Sequence, residues 1–544
     1  MSTRRVPPRW VRWTLVTVLL LASCVTFGIT TARADLALGP HEARYDVTSD
    51  SQVVVDVGPI GTLEIDSPLP FGLGIRVTVG EIPADLRTVD GDDPLGALAG
   101  DAESYLQLFS DPETTVRRVA EELVADAVQR TMAAALVVAG VGVGGYLLLG
   151  VRRREELASR LVPRTWEITA GVTVVVLVAA VVPRVVVSST EQAPPAQVFA
   201  GTPLEGARMT GRLAGVVDTY GSMAIDLYDE NEAFYAAADA ELDDAWAERL
   251  HDQEIDDIAR SVGLKEPDGA PADDDVLTFV VVTDLHCNTG MSPLIRTTLE
   301  RSGAQVLLNA GDTTTNGTSV EDVCVSSFAD AVPDGVDVVV ADGNHDSVVT
   351  SEQEAAQGWR VLDGSVVDVH GMRVLGDRDA LETRVGSGSY TSTDETSDEQ
   401  AARIEQTACE DDDVDLLLIH TPSAGTPAMN AGCVPFQISG HLHRRIGPVQ
   451  IGEGFRYVNS STAGAASDQP TVGPLNGIAE MTVLRFDTEA RRMIDLQLVE
   501  VTPAGTAAVG ERVPVPALAG PGAVPVEESL EDPAPEVEAD ADGA

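Results

Sequence analysis

VDVVVADGNHD (Val336–Asp346) is a run of apolar β-formers closed by Gly343, Asn344, His345 and Asp346. Four more apolar runs in the same half of the chain end in the same manner. VLTFVVVTD leads to Asp284 and His286, QVLLNAGD stops at Gly311-Asp312, DLLLIHTP holds His420, and FQISGH carries into His441 and His443. Between the first of these runs lie segments with helical spacing, SPLIRTTLERSGA and residues 321–331. Strand and helix therefore alternate from Val276 onward, which is the grammar of an α/β sheet. The later runs, up to MTVLRFDTEARRMIDLQLVEV with a turn near Asp487–Ala490, read as mostly β. They predict a parallel half joined to a more antiparallel half.

In open α/β sheets the carboxyl ends of the strands converge on one crevice. Five of the chain's eight histidines, with Asp284, Asp312 and Asn344, then fall on a single rim. Alternation along an extended segment puts positions i and i+2 on one side, so Asp284 with His286, and His441 with His443, are expected to reach one space as pairs. Gly440 lets the backbone approach closely there. Imidazole, carboxylate and amide donors suit Zn, Mn or Fe rather than a thiolate-preferring site. The set Asp284, His286, Asp312, Asn344, His420, His441 and His443 exceeds what one tetrahedral ion takes, so two divalent or trivalent metal ions are implied. Two ions roughly 3.5–4 Å apart suit in-line displacement at phosphorus, polarising phosphoryl oxygens and acidifying a bridging water.

Taken in order, D-x-H, GD, GNHD, H and GHxH resemble the calcineurin-like metallophosphoesterase superfamily, over about residues 276–501. The resemblance implies a four-layer αββα sandwich with the metals above the strand ends. It implies Asp284, His286 and His443 as ligands of one metal, Asn344, His420 and His441 as ligands of the other, and Asp312 as the bridge. His345 would be the non-ligand that protonates the leaving group, a task typically worth about 10²–10⁴ in rate, with Asp346 orienting its ring. The implied activity is hydrolysis of a phosphate-ester substrate, a monoester or a diester. The second block reads GDTTTNG (Gly311–Gly317), where relatives often carry a hydrophobic residue and an Asp after GD. The competing reading is a catalytically silent, metal-binding sensory or scaffold ectodomain. Its hallmark would be a missing ligand, and every block is present.

The remaining sequence supplies the setting. A net charge of −50, with Lys265 the only lysine, excludes a basic phosphate-tracking groove and hence duplex nucleic acid as a partner. Residues 1–34 combine Arg4, Arg5, Arg9 and Arg12 with an apolar run from Thr14 to Ile29. That pattern fits an uncleaved anchor, a signal peptide cut after Ala34, or a lipoprotein signal at Cys24. Apolar runs at 132–151 and 166–187 are each long enough to cross a bilayer. The basic segment between them, 152–165, predicts a cytoplasmic loop by the positive-inside rule. The catalytic domain is then expected on the extracytoplasmic side of the cell membrane, in an integral membrane protein. Residues 35–131 read as a small β-rich exoplasmic region with a helical stalk, 188–275 as a linker with a helical lead-in, and 276–502 as the metallophosphoesterase domain. The Pro/Ala-rich acidic stretch 503–544 reads as a disordered tail.

His41, His251 and His370 lack partner motifs and read as surface histidines; Arg444 and Arg445 read as solvated loop residues. The glycosylation patterns at Asn316 and Asn459 lie beside site loops and are discounted. Four cysteines, Cys287, Cys324, Cys409 and Cys433, suggest disulfides in an exported domain. Proximity favours Cys287 with Cys324 and Cys409 with Cys433, with Cys287 as a metal ligand the competing role.

Overall fold

The structure, a computed structural model, describes residues 8–38, 41–80, 112–164, 171, 195–196, 206–265, 275–384, 388–392, 395–411, 413–465 and 473–516. Apart from residue 171, the expected span at 166–187 lies outside the described residues, as does the tail beyond 516. The chain divides into two units, one holding residues up to 83 and 113–225, the other holding those from 226 on.

In the first unit, β1 (Arg33–Leu38), β2 (His41–Thr48), β3 (Gln52–Asp56), β4 (Thr62–Asp66), β5 (Gly74–Val79) and β6 (Arg208–Met209) form one sheet in the order β1-β2-β5-β3-β4-β6. Alternation in these strands turns Ala34, Ala43, Tyr45 and Val77 inward against Val119 and Leu123 of the helix Pro112–Leu148. The β-rich region is therefore not confined to 35–131, because its edge strand β6 comes from beyond the apolar runs. The helices Arg9–Thr30 and Pro112–Leu148 are long and apolar enough, by length and composition, to cross a membrane. The basic segment, read as a loop, folds as the helix Val151–Leu161. Its Arg and Glu residues are good helix formers, and Arg160 pairs with Glu156 one turn earlier at 2.7 Å.

The second unit holds two mixed sheets. The larger runs β10-β9-β8-β7-β19-β20-β21, built from β7 (Val276–Val282), β8 (Val306–Asn309), β9 (Asp337–Val340), β10 (Arg360–Val361), β19 (Ala479–Asp487), β20 (Arg492–Val501) and β21 (Ala507–Val509). The smaller runs β11-β12-β15-β16-β18-β17, from β11 (Val366–Val369), β12 (Met372–Gly376), β15 (Leu416–Leu418), β16 (Phe436–Ser439), β17 (Ile446–Ile451) and β18 (Gly454–Val458). β7, β8, β9 and β10 are parallel, and so are β12, β15, β16 and β18. The larger sheet has its parallel strands, β10 to β7, on one side and antiparallel β19, β20 and β21 on the other. The smaller has a parallel centre with antiparallel β11 and β17 at its margins. This corrects the expected division: the two kinds of pairing occur within each sheet rather than as two halves of the domain. The helices Ser397–Asp411 and Thr426–Asn430 supply the crossovers that make the centre of the smaller sheet parallel.

Period-two alternation sorts the cores. Leu277, Phe279 and Val281 of β7 share one apolar cluster with Leu416, Leu418, Phe436, Ile438 and Tyr457 of the other sheet. Val280 and Val282, on the opposite face, join a cluster with Leu294, Ile295 and Leu299 of the helix Ser292–Ser302. Leu417 and Ile419 join a third with Ile404, Ala408, Ala428 and Met429.

The segment expected to be a linker is part of this unit. From residue 226 on, the helix Gly211–Ser261 contributes Tyr235, Ala238, Leu242 and Trp246 to the cluster around Leu294 and Leu299. Asp239 accepts from Thr297 at 2.7 Å, and Asp243 pairs with Arg301 at 2.5 Å. The spacing 235, 238, 242, 246 is a narrow helical stripe among acidic residues, which is why it reads as a solvated lead-in. Trp246 is 1 % exposed. Trp246→Ala is therefore expected to cost about 3–5 kcal/mol in urea denaturation, whereas Ile258→Ala, on the exposed side of the same helix, should stay within about 0.5 kcal/mol.

The tail also needs correction at its start. β21 and β22 (Val513–Pro514) both pair with β20. Backbone hydrogen bonds along an existing edge order these residues with little apolar side-chain area, so the ordered domain runs past 502.

Candidate metal centre

Each candidate donor stands just beyond the carboxyl end of a parallel strand: Asp284 and His286 after β7, Asp312 after β8, Asn344 and His345 after β9, His420 after β15, His441 and His443 after β16. The loops do not continue the strands. Asp284, His286, Asp312, His441 and His443 all have left-handed φ, between 40° and 73°. Such backbone costs a non-glycine residue roughly 1–3 kcal/mol, and it persists where surrounding structure over-determines it. Asp284 and His286, like His441 and His443, thus reach one space through left-handed turns, which corrects the expectation of strand alternation.

Glycines allow the approach. A Cβ on Gly440 would lie 1.9 Å from Thr283 Oγ1, and one on Gly343 would lie 2.2 Å from Asp312 Oδ1. The His441 amide donates to Asp284 Oδ1 at 3.1 Å, joining the loop after β16 to the loop after β7.

Ligand atoms of Asp284, His286 and His443 lie within 4.8 Å of one another, as do those of Asp284, Asp312 and His420 and those of His286, Asp312 and His345. Asp312 Oδ2 is 3.7 Å from His286 Nε2 and 3.1 Å from His420 Nε2, the position expected of a bridge. Asn344 Oδ1 and His441 Nδ1 meet at 2.9 Å, and the His441 ring lies edge-on to His420 with centroids 5.1 Å apart. Among the described residues, no cluster of three Asp, Glu, His or Cys donors includes His441. The structure thus brings Asp284, His286 and His443 together, sets Asp312 between His286 and His420, and places Asn344 and His441 as a pair beside His420.

The chemistry of these donors fits cations. His420 is fully buried, and its Nδ1 donates to the Ala310 carbonyl at 2.7 Å, which leaves the lone pair of the neutral ring on Nε2. That Nε2 makes no hydrogen bond despite its closeness to Asp312. Burial pulls the His420 imidazole down, yet Asp312 and Asp284 outweigh it and push its pKa up to about 10. Burial opposes ionisation of Asp312, but His420, His345 and His286 hold its carboxyl well below the usual range. His286 is driven the other way, to about 3, chiefly by burial. Buried carboxylates are here balanced by protons on imidazoles, a charge that metal ions would supply instead.

A pH dependence follows for the metal-free protein. His286 binds its proton more weakly folded than unfolded, so stability falls as pH drops from about 6.5 toward 3. His420 binds its proton more tightly folded, so stability falls as pH rises from about 6.5 toward 10. In urea titrations of chelator-treated protein, replacing His286 is therefore expected to soften the loss of stability on the acid side of pH 6.5, and replacing His420 the loss on the alkaline side. Loading with Mn should abolish the alkaline limb.

The role expected of Asp346 is not seen. Its carboxylate accepts from the amides of Thr313 (3.2 Å), Thr314 (2.9 Å) and Gly343 (2.9 Å) and from Thr314 Oγ1 (2.8 Å). The ring of His345 is held elsewhere: its Nδ1 donates to the Thr315 carbonyl at 2.7 Å, and its backbone amide donates to Asp312 Oδ1 at 2.8 Å. Asp346 is short and local, so the three amides nearest it absorb its lone pairs. The departure GDTTTNG is where the orienting acceptor lies, in a main-chain carbonyl that no side-chain pattern reveals.

Other supporting residues were not legible as such. Tyr235 donates to Asn288 Oδ1 at 3.0 Å, two residues past His286, and its ring lies against Gly290. Thr383, on the hairpin of β13 (Leu381–Arg384) and β14 (Gly388–Thr391), accepts from Asn344 Nδ2 at 2.9 Å and so fixes which face of that amide turns toward His441. Glu321 could have been found from Thr318-x-x-Glu321, a capping-box pattern. The disulfides are Cys287–Cys324 and Cys409–Cys433, which removes Cys287 as a ligand. His370 pairs with Asp337 at 2.9 Å, and Arg445 with Glu480 at 2.9 Å. Asn459 is fully buried.

A family model described as calcineurin-like phosphoesterase matches residues 277–445. The chain carries a calcineurin-like phosphoesterase domain. It is a phosphoester hydrolase, and its Asp and His clusters are able to bind metal. No curated protein matches the chain. Solved structures similar to this phosphoesterase include a dimetal phosphatase from Danio rerio, 13 % identical, covering 44 % of this chain and 99 % of that one, with a TM-score of 0.27. TT1561 of Thermus thermophilus is 10 % identical over 42 % of this chain and 99 % of its own, with a TM-score of 0.31. Yfce, a phosphoesterase from E. coli, is 14 % identical over 44 % and 100 %, with a TM-score of 0.23.

Proposed function

We propose that this protein is a membrane-tethered, two-metal hydrolase of phosphoric monoesters or diesters, with its catalytic domain on the extracytoplasmic side. The observation that carries the reading is the gathering of Asp284, His286, Asp312, His420 and His443 into overlapping clusters at strand ends, with His345 beside His286 and Asp312 and the Asn344–His441 pair beside His420. Mn, Fe or Zn ions bound there would supply Lewis-acid polarisation of the phosphoryl group and acidify the attacking water. Asp284, His286 and His443 would hold one ion, Asn344, His420 and His441 the other, and Asp312 would face both. His345, with Nδ1 committed to Thr315, keeps Nε2 for the leaving oxygen. The shared apolar cluster between the sheets, with helical residues clustered on the outer face of each, supports an αββα layering.

Several features support the tether. A Cβ on Gly28 would lie 2.5 Å from the Ala127 carbonyl, so the helix Arg9–Thr30 passes against the helix Pro112–Leu148 where its apolar run begins. Cleavage after Ala34 would remove the first two residues of β1. Both favour a retained anchor over a cleaved signal. Arginines before the first helix and within 152–164 favour a cytoplasmic side for those ends, and two disulfides suit an oxidising compartment.

The detergent-solubilised full chain is expected to bind two equivalents of Mn and to hydrolyse a p-nitrophenyl phosphate monoester or diester. Two bound equivalents with neither ester cleaved would leave the silent metal-binding ectodomain as the reading. Protease added outside intact cells should reach the phosphoesterase domain; complete protection would overturn the topology.

A further inference from the structure

We propose that Glu321 is a positioning residue for His345, acting through the turn Thr315–Thr318. The Thr315 carbonyl that accepts the hydrogen bond from His345 Nδ1 is neutral, so its value as an orienter depends on the direction of its peptide plane. That direction is set by one carboxylate. Glu321 Oε1 accepts from the amides of Thr315 at 2.7 Å and Asn316 at 3.0 Å, and Oε2 accepts from the Thr318 amide and hydroxyl, each at 2.8 Å. Glu321 is 1 % exposed, where water cannot replace a lost acceptor.

A capping box accounts for only part of this. The box pairs Glu321 with Thr318 at the start of the short turn Ser319–Glu321. The amides of Thr315 and Asn316 lie outside that turn, and their bonds to Oε1 extend the carboxylate's reach to the residue that holds His345. The Gly317 carbonyl, accepting from Ser347 Oγ at 2.5 Å, fixes the far side of the turn. Glu321 touches neither substrate nor a candidate ligand, and its oxygens bond to the turn Thr315–Thr318. Oε1 also lies 3.6 Å from Cys287 Sγ, which makes unchanged Mn binding a necessary control for an effect routed through Thr315.

The inference rests on the hydrolase reading, with His345 as proton donor. In that step the bond from phosphorus to the leaving oxygen breaks with its electron pair kept by the oxygen, which takes the proton from His345 Nε2. The attacking water forms the new phosphorus–oxygen bond and releases its proton to solvent. Proton donation matters for a poor leaving group such as an alkoxide and little for p-nitrophenolate, and this contrast separates positioning from general damage.

The test compares Mn-loaded full chain and variants on an alkyl ester and a p-nitrophenyl ester of the same phosphate class. Glu321→Gln is expected to lower kcat for the alkyl ester by about 10–100-fold, part of the 10²–10⁴ typical of general acids, with KM, bound Mn and the p-nitrophenyl rate nearly unchanged. Glu321→Asp, which keeps the charge and shortens the reach, should show a smaller split in the same direction, and it serves where the Gln variant does not fold. In metal-free protein labelled with ¹⁵N-histidine, the His345 Nδ1–H resonance should lose its protection from exchange in Glu321→Gln. Equal losses on both esters, or none, while His345→Ala retains the split would overturn the role of Glu321 alone. If His345→Ala itself shows no split, the proton-donor reading falls and this inference falls with it.

Discussion

Asp312→Asn is expected to lose the metal pair and bring turnover to background. The Asp312 side chain faces His286 and His420 with one oxygen and takes the His345 amide with the other, at 1 % exposure. Asparagine keeps the shape but turns one of those acceptors into a donor and removes the charge. Water cannot enter to compensate, so the lost acceptor is felt in full. Changes at residues that merely orient ligands typically cost about 10–100-fold in metal affinity, and a residue between two ions should exceed that. A second readout does not need metal. With Asp312 neutral, the largest influence raising His420 disappears, so the alkaline fall in stability of metal-free protein should flatten. A folded Asp312→Asn variant that keeps two Mn equivalents and more than a tenth of the rate would sink the bridging assignment.

What the sequence could reveal was the chemistry at strand ends, because donors following apolar runs are a local pattern. The convergence of Asp284, Asp312, Asn344, His420 and His441 needed only the rule that parallel strands point their carboxyl ends one way. The means of convergence was not local. Left-handed φ at Asp284 or His443 is imposed by neighbouring loops, through contacts such as the His441 amide on Asp284, and neither residue type announces it. The orienter of His345 was misread for a related reason. Asp346 is the obvious carboxylate nearby, but three amides claim it, and the acceptor in use is a backbone oxygen. Main-chain acceptors carry no side-chain signature.

The domain limits failed in the opposite direction, through weak side-chain signals. Tyr235, Ala238, Leu242 and Trp246 are four apolar contacts in a helix of 51 residues, outnumbered by acids on its other faces. Only the facing stripe of the helix Ser292–Ser302 makes them core. Likewise β21 and β22 draw their order from β20, so a composition poor in large apolar residues misjudged them. A fragment covering 276–502 would therefore expose the surface that Trp246 covers and leave one edge of β20 unpaired.

Gly440→Ala is expected to damage the centre without touching any donor. The added Cβ would meet Thr283 Oγ1 at 1.9 Å, Asp284 Oδ2 at 2.8 Å and Thr283 Cβ at 2.9 Å. Thr283 is fully buried at the end of β7, so it has nowhere to turn. Relief has to come from separating the loop after β16 from the loop after β7, which stretches the His441 amide from Asp284 and carries His443 away from both Asp284 and His286. Overpacking of this kind costs about 1–3 kcal/mol, visible as a lower urea midpoint. The larger loss is functional, since Asp284, His286 and His443 form one cluster and the displacement breaks it. Mn affinity should fall by at least about 10-fold, the scale of a misplaced ligand shell, and turnover with it. Adding Thr283→Ala removes the worst contact but leaves those at 2.8 and 2.9 Å. The double variant should therefore recover part of the stability and Mn binding lost in Gly440→Ala, a coupling that independent sites would not show. Gly440→Ala with normal Mn affinity, or a double variant no better than the single, would mean that the two loops do not depend on this close approach.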